Sequence, residues 1–152
     1  MKPRTFSPER DYVALAVEAG VDETMIARLV HRFYADVRAD AVLGPIFEAR
    51  VHDWDAHLGQ MCAFWSSIML RSGRYHGQPM PKHAPLPVAG AHFDHWLALF
   101  EISAREVCAK AAGLFVERAR RIAQSLEFGV ATSRGLLLGP GERLPAPEPQ
   151  GD

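Results

Sequence analysis

The stretch from Ser72 to Gly90, here called the proline loop, most constrains the fold because its nineteen residues hold four prolines and three glycines. Each proline fixes its backbone angle φ and lacks an N–H donor, so a continuous helix cannot pass through this stretch. Proline also favours an extended conformation at the residue before it, which stiffens the chain. The sequence therefore predicts a long, ordered loop with at most a single helical turn, and the helices must pack on either side of it.

Apolar side chains before and after the proline loop recur at intervals of three and four residues, which is the spacing of a buried helical stripe. Asp22 and Asp53 are placed to begin two helices, and a Gly-Pro corner at 43–47 lies between them. A further helix is predicted over about 91–111, and Gly113 separates it from the last one. No strand pattern exceeds a few residues. The sequence predicts an all-α domain of about five main helices, with the long ordered loop before the fourth.

Length and charge narrow the class of protein. The 152 residues fit one domain, predicted over 1–132, and a flexible Pro/Gly-rich tail over 133–152. The net charge of -1 gives no case for nucleic acid or an acidic membrane surface as a partner. No apolar run approaches the roughly 20 residues of a membrane span. No secretory leader is recognisable, and the two cysteines form no CxxC pair, so we expect a reduced, cytoplasmic protein.

His83 lies in the middle of the proline loop, between Pro81 and Pro85, with Met80 and Leu86 three residues to either side. A stiff loop anchored by two apolar side chains can present one imidazole to a ligand. It can equally be a capping loop that carries a surface histidine. The spacing alone leaves both alternatives open.

The remaining histidines and acidic residues give little support to a metal-ion site. Zinc sites need several Cys or His at short spacing, and the HExxH motif is absent. His92 and His95 are three apart on a predicted helix and could chelate a metal, but no third ligand is placed beside them. A di-iron bundle needs Glu-x-x-His motifs on two helices, and the chain has none. Haem needs one protein histidine and a large apolar slot, so the residue set favours haem.

The aromatic side chains exceed what five short helices need for a core. His57 and Met61 are four residues apart and therefore share one helix face, as the polar and apolar sides of a ligand pocket would. Taken singly, His57 can also be a half-buried core histidine, and Tyr34 an interface tyrosine. The side chains predicted to line a slot are Tyr34, Phe47, His57, Met61, Phe64, Trp65, Phe93 and Trp96.

Three stretches carry a family resemblance: FYADVRADAVLGPIF (33–47), AFWSSIMLRSGRYHGQPMPKHAPL (63–86) and FDHWLALFE (93–101). The middle stretch is the most specific, because its FW, GRYHG-P and late K-H-x-P/L elements occur in the family's order and spacing. The chain resembles a group III truncated haemoglobin, a bacterial globin whose three-over-three helical sandwich is reduced to two-over-two. With the flanking helices, the resemblance covers about residues 15–130.

The resemblance implies a haem b cofactor (iron protoporphyrin IX) with His83 as the proximal iron ligand. The other ring nitrogen of His83 should then donate to a backbone carbonyl. Tyr34 and Trp96 would be distal hydrogen-bond donors, and His57 a gate or an additional donor at the mouth of the pocket. The haem-contacting side chains would be Phe47, Met61, Phe64, Met80, Leu86 and Phe93.

The resemblance further implies reversible binding of O2, and of NO and CO, at the iron. Donors that retain O2 favour O2, NO or peroxide redox chemistry over bulk oxygen transport, and a dioxygenase- or peroxidase-like activity is one form of it. The expected partners are the diatomic ligand and an electron-donating reductase, with the protein a monomer or weak dimer. Two other classes stay open: a haem sensor or electron-transfer module with six-coordinate iron, in which His57 closes on the metal, and a cofactor-free helical interaction module.

Overall fold

The computed structural model describes residues 8–147, with side chains from residue 11 onward, so the first residues of the predicted domain and the end of the predicted tail lie outside the described residues. Within these described residues, seven α-helices follow one another: α1 (Pro8–Glu18), α2 (Glu23–Ala39), α3 (Leu43–Glu48), α4 (Trp54–Leu70), α5 (Pro79–His83), α6 (Gly90–Cys108) and α7 (Ala112–Ser133). A 3-10 turn, Ala109–Ala111, connects the last two. Residues 8–147 contain no strand, which confirms the all-α prediction. None of their helices combines the length and apolar character needed to span a membrane.

The helix starts predicted from the sequence are formed by side-chain caps. The carboxylate of Asp22 accepts a hydrogen bond from Met25 N at 2.8 Å, and that of Asp53 accepts one from Ala56 N at 3.0 Å. Each carboxylate satisfies an N–H that has no partner within the first helical turn. At the end of α1, Gly20 has a φ of 95°, the left-handed conformation for which glycine is suited.

Two local predictions are wrong. The predicted corner at 43–47 is instead the short helix α3, which tolerates Pro45 because residues in a first helical turn need no N–H partner. Gly44 in this helix lies so close to the Arg38 carbonyl oxygen that an added Cβ would come within 2.8 Å of it. The break between the last two long helices is at Ala109, whose φ is 45°, whereas Gly113 lies inside α7.

The core is built from two helix pairs. Helix α2 packs on α4, α6 packs on α7, and α2 also lies against α6, so that the two pairs form the predicted two-over-two sandwich. Phe100 is at the centre: its ring centroid lies 5.0 Å from that of Trp65, 5.4 Å from that of Trp96 and 5.3 Å from that of Phe33. These contacts join α2, α4 and α6 through aromatic side chains.

A second, smaller apolar cluster lies where the proline loop meets the end of the chain. Its buried members are Val88, Val130, Ala131 and Leu144, with Ile46, Leu86, Phe93 and Leu138 packed against them. Leu144 is 3% exposed although it belongs to the predicted tail. We call residues 136–147 the C-terminal strap. Part of the predicted tail is therefore placed against the domain, next to the proline loop.

Candidate functional site

His83 is the last residue of α5, the helical turn within the proline loop. The turn begins at Pro79, whose ring suits the first position of a helix. His83 Nδ1 lies 2.7 Å from the Pro79 carbonyl oxygen. Because a carbonyl can only accept, Nδ1 carries the proton, and in the neutral ring Nε2 keeps its lone pair. The half-buried imidazole therefore has one nitrogen fixed by the backbone and one available for a ligand.

His57 lies in the first turn of α4, and its Nε2 is buried without a hydrogen-bond partner. Burial is the main cause that lowers the pKa of His57, and the positive charges of Lys82 and His83 lower that pKa further. The imidazole is neutral at neutral pH, and its unpartnered Nε2 can meet a ligand.

Aromatic rings surround Tyr34, which is 5% exposed. Its ring centroid lies 5.1 Å from that of His57, 5.9 Å from that of Phe47, 6.1 Å from that of Trp54 and 5.0 Å from that of Phe33. Burial raises the pKa of the Tyr34 phenol far above its usual value, so the hydroxyl keeps its proton. Tyr34 is therefore a neutral hydrogen-bond donor at any physiological pH.

Trp96 and Trp54 differ in how their rings contact the group around Tyr34. The ring centroid of Trp96, on α6, lies 5.3 Å from that of Phe33, so Trp96 contacts the group through the Phe33 ring. The ring centroid of Trp54 lies 5.6 Å from that of His57. The Nε1 atom of Trp54 is buried without a hydrogen-bond partner. The structure thus brings Tyr34 and His57 together directly, places Trp96 one ring away, and adds Trp54 as a second unpartnered polar group.

The apolar residues predicted to contact a cofactor are all half-buried. Phe47, Met61 and Phe64 pack at the edge of the main core, and Leu86 and Phe93 pack at the edge of the second cluster. Met80 lies so close to Gly129 that no Cβ fits between them. Apolar surface is therefore available to a ligand on both clusters.

His92 and His95, whose spacing could chelate a metal ion, each make a hydrogen bond within the protein. His92 Nδ1 accepts a hydrogen bond from Ala89 N at 2.9 Å, which closes the start of α6. His95 Nε2 lies 2.7 Å from a carboxylate oxygen of Asp40. Across residues 8–147, no three His, Cys, Asp or Glu side chains are grouped so as to hold a metal ion.

The family is shown by comparison with known proteins. A family model described as bacterial-like globin matches residues 17–124, which is most of the chain. The chain belongs to this globin family.

Individual relatives narrow the group within this family. The globin is 34% identical to the group 3 truncated hemoglobin ctb of Campylobacter jejuni over 113 residues, which are 70% of this chain and 89% of the relative. The crystal structure of the group III truncated hemoglobin from Campylobacter jejuni aligns with a TM-score of 0.65 at 36% identity, covering 70% of this chain and 88% of that one. The hemoglobin of Chloroflexus aurantiacus aligns with a TM-score of 0.60 at 24% identity, covering 74% and 95%, and supports the fold alone. These findings confirm the resemblance to group III truncated haemoglobins.

Membership of the globin family implies haem, and the residues of this globin fit that group. His83 offers a nitrogen whose ring is already oriented by the backbone, which is how histidines that bind metals are commonly held. His57 Nε2 and Trp54 Nε1 are buried polar atoms without protein partners, as expected where a further molecule binds. The half-buried apolar side chains of the two clusters are of the kind that contacts a haem.

Sequence reasoning missed three residues around this site. Trp54 is not among the predicted site residues, although its spacing of three from His57 on one helix was an available signal. Arg134 and Arg143 bond to the proline loop and its end, and no sequence motif marks either of them. Both lie beyond residue 124, where the match to the globin family ends.

Proposed function

We propose that this truncated globin binds O2 or another diatomic ligand, such as NO or CO, reversibly at haem b, and uses it for O2, NO or peroxide redox chemistry rather than bulk oxygen transport. When bound, haem supplies the iron centre at which a small ligand binds and electrons are exchanged. One observation supports the proposal most: the hydrogen bond from His83 Nδ1 to the Pro79 carbonyl oxygen leaves Nε2 as a preoriented ligand.

The proximal role of His83 follows from the chemistry of that hydrogen bond. The acceptor is a backbone carbonyl, which can only accept, so the Nδ1 proton of the ring is held there. Pro79, at the start of the same helical turn, holds the acceptor at a fixed place relative to the ring. His83 therefore presents Nε2 in one orientation, which suits reversible ligand binding.

Tyr34 is the main distal donor of the proposal. In a site from which water is excluded, the positioned O–H of Tyr34 would stabilise the negative charge that develops on an O2 ligand. Since burial raises the pKa of Tyr34, the phenol cannot become a competing anion. A neutral donor of this kind contributes about 1 kcal/mol, and a second donor from Trp96 or His57 adds to it.

Trp54 extends this distal group. Its indole N–H is buried without a partner beside His57, so it can donate to the ligand or to a water held there. Phe47 packs against the Tyr34 ring at 5.9 Å and limits the positions that the phenol can take. The side chains that would contact the haem and keep water out are Met61, Phe64, Met80, Leu86 and Phe93.

The proposal extends to partners and location. Redox turnover of a retained ligand consumes electrons that the residues of this site do not supply, so an electron-donating reductase is part of the proposed function. We expect a monomer or weak dimer, located in the cytoplasm.

The test is the ferric and ferrous absorption spectrum of the purified protein, with and without O2, CO and NO. A ferrous high-spin spectrum that changes on addition of each gas is the expected result. A colourless protein that takes up no added haemin contradicts the proposal and favours a cofactor-free interaction module.

The unpartnered Nε2 of His57 supports a second candidate function. In this alternative, His57 would be a second protein ligand of the iron through Nε2, in addition to His83, and the globin would be a haem-based sensor or an electron-transfer module. The lowered pKa of His57 keeps its lone pair available for that bond. A low-spin, six-coordinate spectrum of the ferrous protein without added gas, lost in His57→Leu, would establish this candidate over the first.

A further inference from the structure

Two backbone carbonyl groups of the proline loop accept hydrogen bonds from an arginine side chain that lies outside the loop. Pro85 and Pro87 lack N–H groups, so this part of the loop has few backbone donors of its own. Arg134 adds two donors from outside the loop. Its Nη2 donates at 2.7 Å to the Leu86 carbonyl oxygen, which also accepts from Val88 N at 2.9 Å, and its Nη1 donates to the Val88 carbonyl oxygen at 3.0 Å. One guanidinium thus holds two carbonyls of the loop at a fixed separation.

Arg134 is itself held in place. It caps α7, where its backbone N–H donates to the carbonyl oxygens of Val130 and Ala131 at 3.2 and 3.0 Å. A cation is also favoured at a helix C-terminus, where the carbonyl dipoles point outward. The guanidinium therefore extends from the end of a long, packed helix and not from a loose segment.

The held carbonyls are close in the chain to His83. Leu86 N donates to the His83 carbonyl oxygen at 3.0 Å, so a short hydrogen-bonded turn joins the residue that Arg134 holds to the residue that carries the imidazole. Arg134 does not touch the imidazole. Its effect on His83 is transmitted through the backbone of this turn.

The C-terminal strap reinforces the same arrangement. After Gly135, whose φ is 77°, Leu136 N donates back to the Ala131 carbonyl oxygen at 2.9 Å. The strap then reaches Leu144, which is buried in the second cluster beside Val88. The Leu144 carbonyl oxygen accepts a hydrogen bond from Gly90 N at 2.8 Å, so the strap also holds the end of the proline loop.

Arg143 fixes the strap by charge. Its guanidinium donates to the carboxylate of Glu127 at 2.9 and 3.1 Å, to that of Asp94 at 2.8 and 2.9 Å, and to the Gly90 carbonyl oxygen at 2.9 Å. Glu127 is 7% exposed, so its carboxylate depends on this partner. Helix α7, the strap and the start of α6 are thereby joined beside the proline loop.

We propose that Arg134, supported by the C-terminal strap, is a positioning residue for His83: it holds the proline loop so that the imidazole meets the haem iron in one orientation. The inference rests on the proposed function, because it takes His83 as the iron ligand. Arg134 and the strap lie outside the part of the chain matched by the globin family. In this proposal, haem retention depends on Arg134 and the C-terminal strap, which are not part of the region that matches the globin family.

The test compares Arg134→Gln with Arg134→Lys in the haem-loaded protein. Gln loses the charge and the two-pronged geometry, and Lys keeps the charge but not the paired donors. Arg120→Gln is the matched control, because Arg120 is an exposed arginine of α7 whose ion pair with Glu101 is long, at 3.8 Å. Three quantities are measured: the iron–imidazole stretching band of the ferrous protein, the rate of haem transfer to an apomyoglobin acceptor, and amide hydrogen exchange at Leu86 and Val88.

We expect Arg134→Gln to shift or broaden the iron–imidazole band, to speed exchange of both amides, and to speed haem loss about tenfold, the equivalent of about 1.4 kcal/mol. Arg134→Lys should fall between Gln and the wild type, and Arg120→Gln should match the wild type. If Arg134→Gln does not fold, the same readouts on Arg134→Lys decide the question. Unchanged band, exchange and haem loss in the folded variants overturn the inference.

His83→Gly, measured beside these variants, separates the two proposals. If it loses its haem while the Arg134 variants behave as the wild type, the proposed function stands and the positioning role of Arg134 is wrong. If it keeps haem and an unaltered spectrum, His83 is not the ligand, and the proximal role of His83 in the proposed function is overturned together with the positioning role of Arg134.

Discussion

The Nδ1 atom of His83 and the carbonyl oxygen of Pro79 form a 2.7 Å hydrogen bond within a single five-residue helix. The orientation of the imidazole relative to α5 is therefore set locally. The location of α5 in the molecule is set by contacts with the distant helix α7, against which it packs. The candidate ligand thus combines a local and a long-range constraint, and each can be tested separately.

The local constraint leads to the first prediction. His83→Gly should lose most of its haem, because Nε2 of this ring is the proposed bond to the iron, and added imidazole should restore binding in part. Absorption spectra with and without imidazole measure this. His76→Gly is the control, since His76 is an exposed histidine of the same loop. Full haem content and an unaltered spectrum in His83→Gly would falsify the assignment.

Tyr34→Phe should raise the dissociation rate of O2 about fivefold, because the loss of one neutral donor is worth about 1 kcal/mol. Stopped-flow displacement of O2 by CO measures the rate. Tyr75→Phe serves as the comparison, because Tyr75 packs on Phe64 and not in the group around Tyr34. Equal dissociation rates for Tyr34→Phe and the wild type rule out the phenol as a ligand donor.

The third prediction concerns pH. Burial lowers the pKa of His57, and the charges of Lys82 and His83 lower it further. The unfolded chain takes up this proton near the ordinary histidine pKa of about 6.5, whereas the folded protein does so only at lower pH. The free energy of unfolding should therefore fall as the pH drops below about 6.5 toward the lowered pKa, and His57→Gln should lack this part of the decrease.

Urea denaturation at a series of pH values from about 7.5 to about 5 measures this difference between the two proteins. Subtracting one profile from the other removes the contribution of every group that both proteins share. Identical profiles for the wild type and His57→Gln would show that His57 is protonated alike in the folded and unfolded chains.

Arg143→Ala should lower the free energy of unfolding by about 1–3 kcal/mol, because it leaves the Glu127 carboxylate buried without its partner. Replacing both residues, as Glu127→Leu with Arg143→Ala, should recover part of the loss. Arg121→Ala is the control: its ion pair with Glu117 is exposed on the surface of α7, and its removal should change stability by less than about 0.5 kcal/mol. A loss for Arg143→Ala no larger than for this control contradicts the prediction.

Much of the fold could be predicted because local chemistry determines it. The Asp22 and Asp53 side chains cap their helices within three residues of chain, and the apolar stripes follow helical spacing. The prolines of the proline loop exclude a long helix by their covalent geometry alone. The expected helical turn is present as α5, which carries His83 at its end.

The remaining features depend on tertiary contacts that local patterns do not report. Ala109 takes a positive φ although the nearby Gly113 is the better candidate by conformational preference, because packing between two long helices sets the position of the break. Leu144 is an isolated apolar residue among prolines and glycines, and its burial requires a pocket built by other parts of the chain. Arg134 carries no motif, since its acceptors are backbone carbonyls.

The contacts of Arg134 and Leu144 with the proline loop join residues that are far apart in the sequence. Arg134 and Leu144, which satisfy and cover this part of the loop, are synthesised well after His83 itself. A nascent chain that has already exposed His83 on the ribosome therefore still lacks the contacts that fix the ring's position. If His83 and Arg134 have the proposed roles, stable capture of haem requires that the chain has been synthesised beyond Leu144.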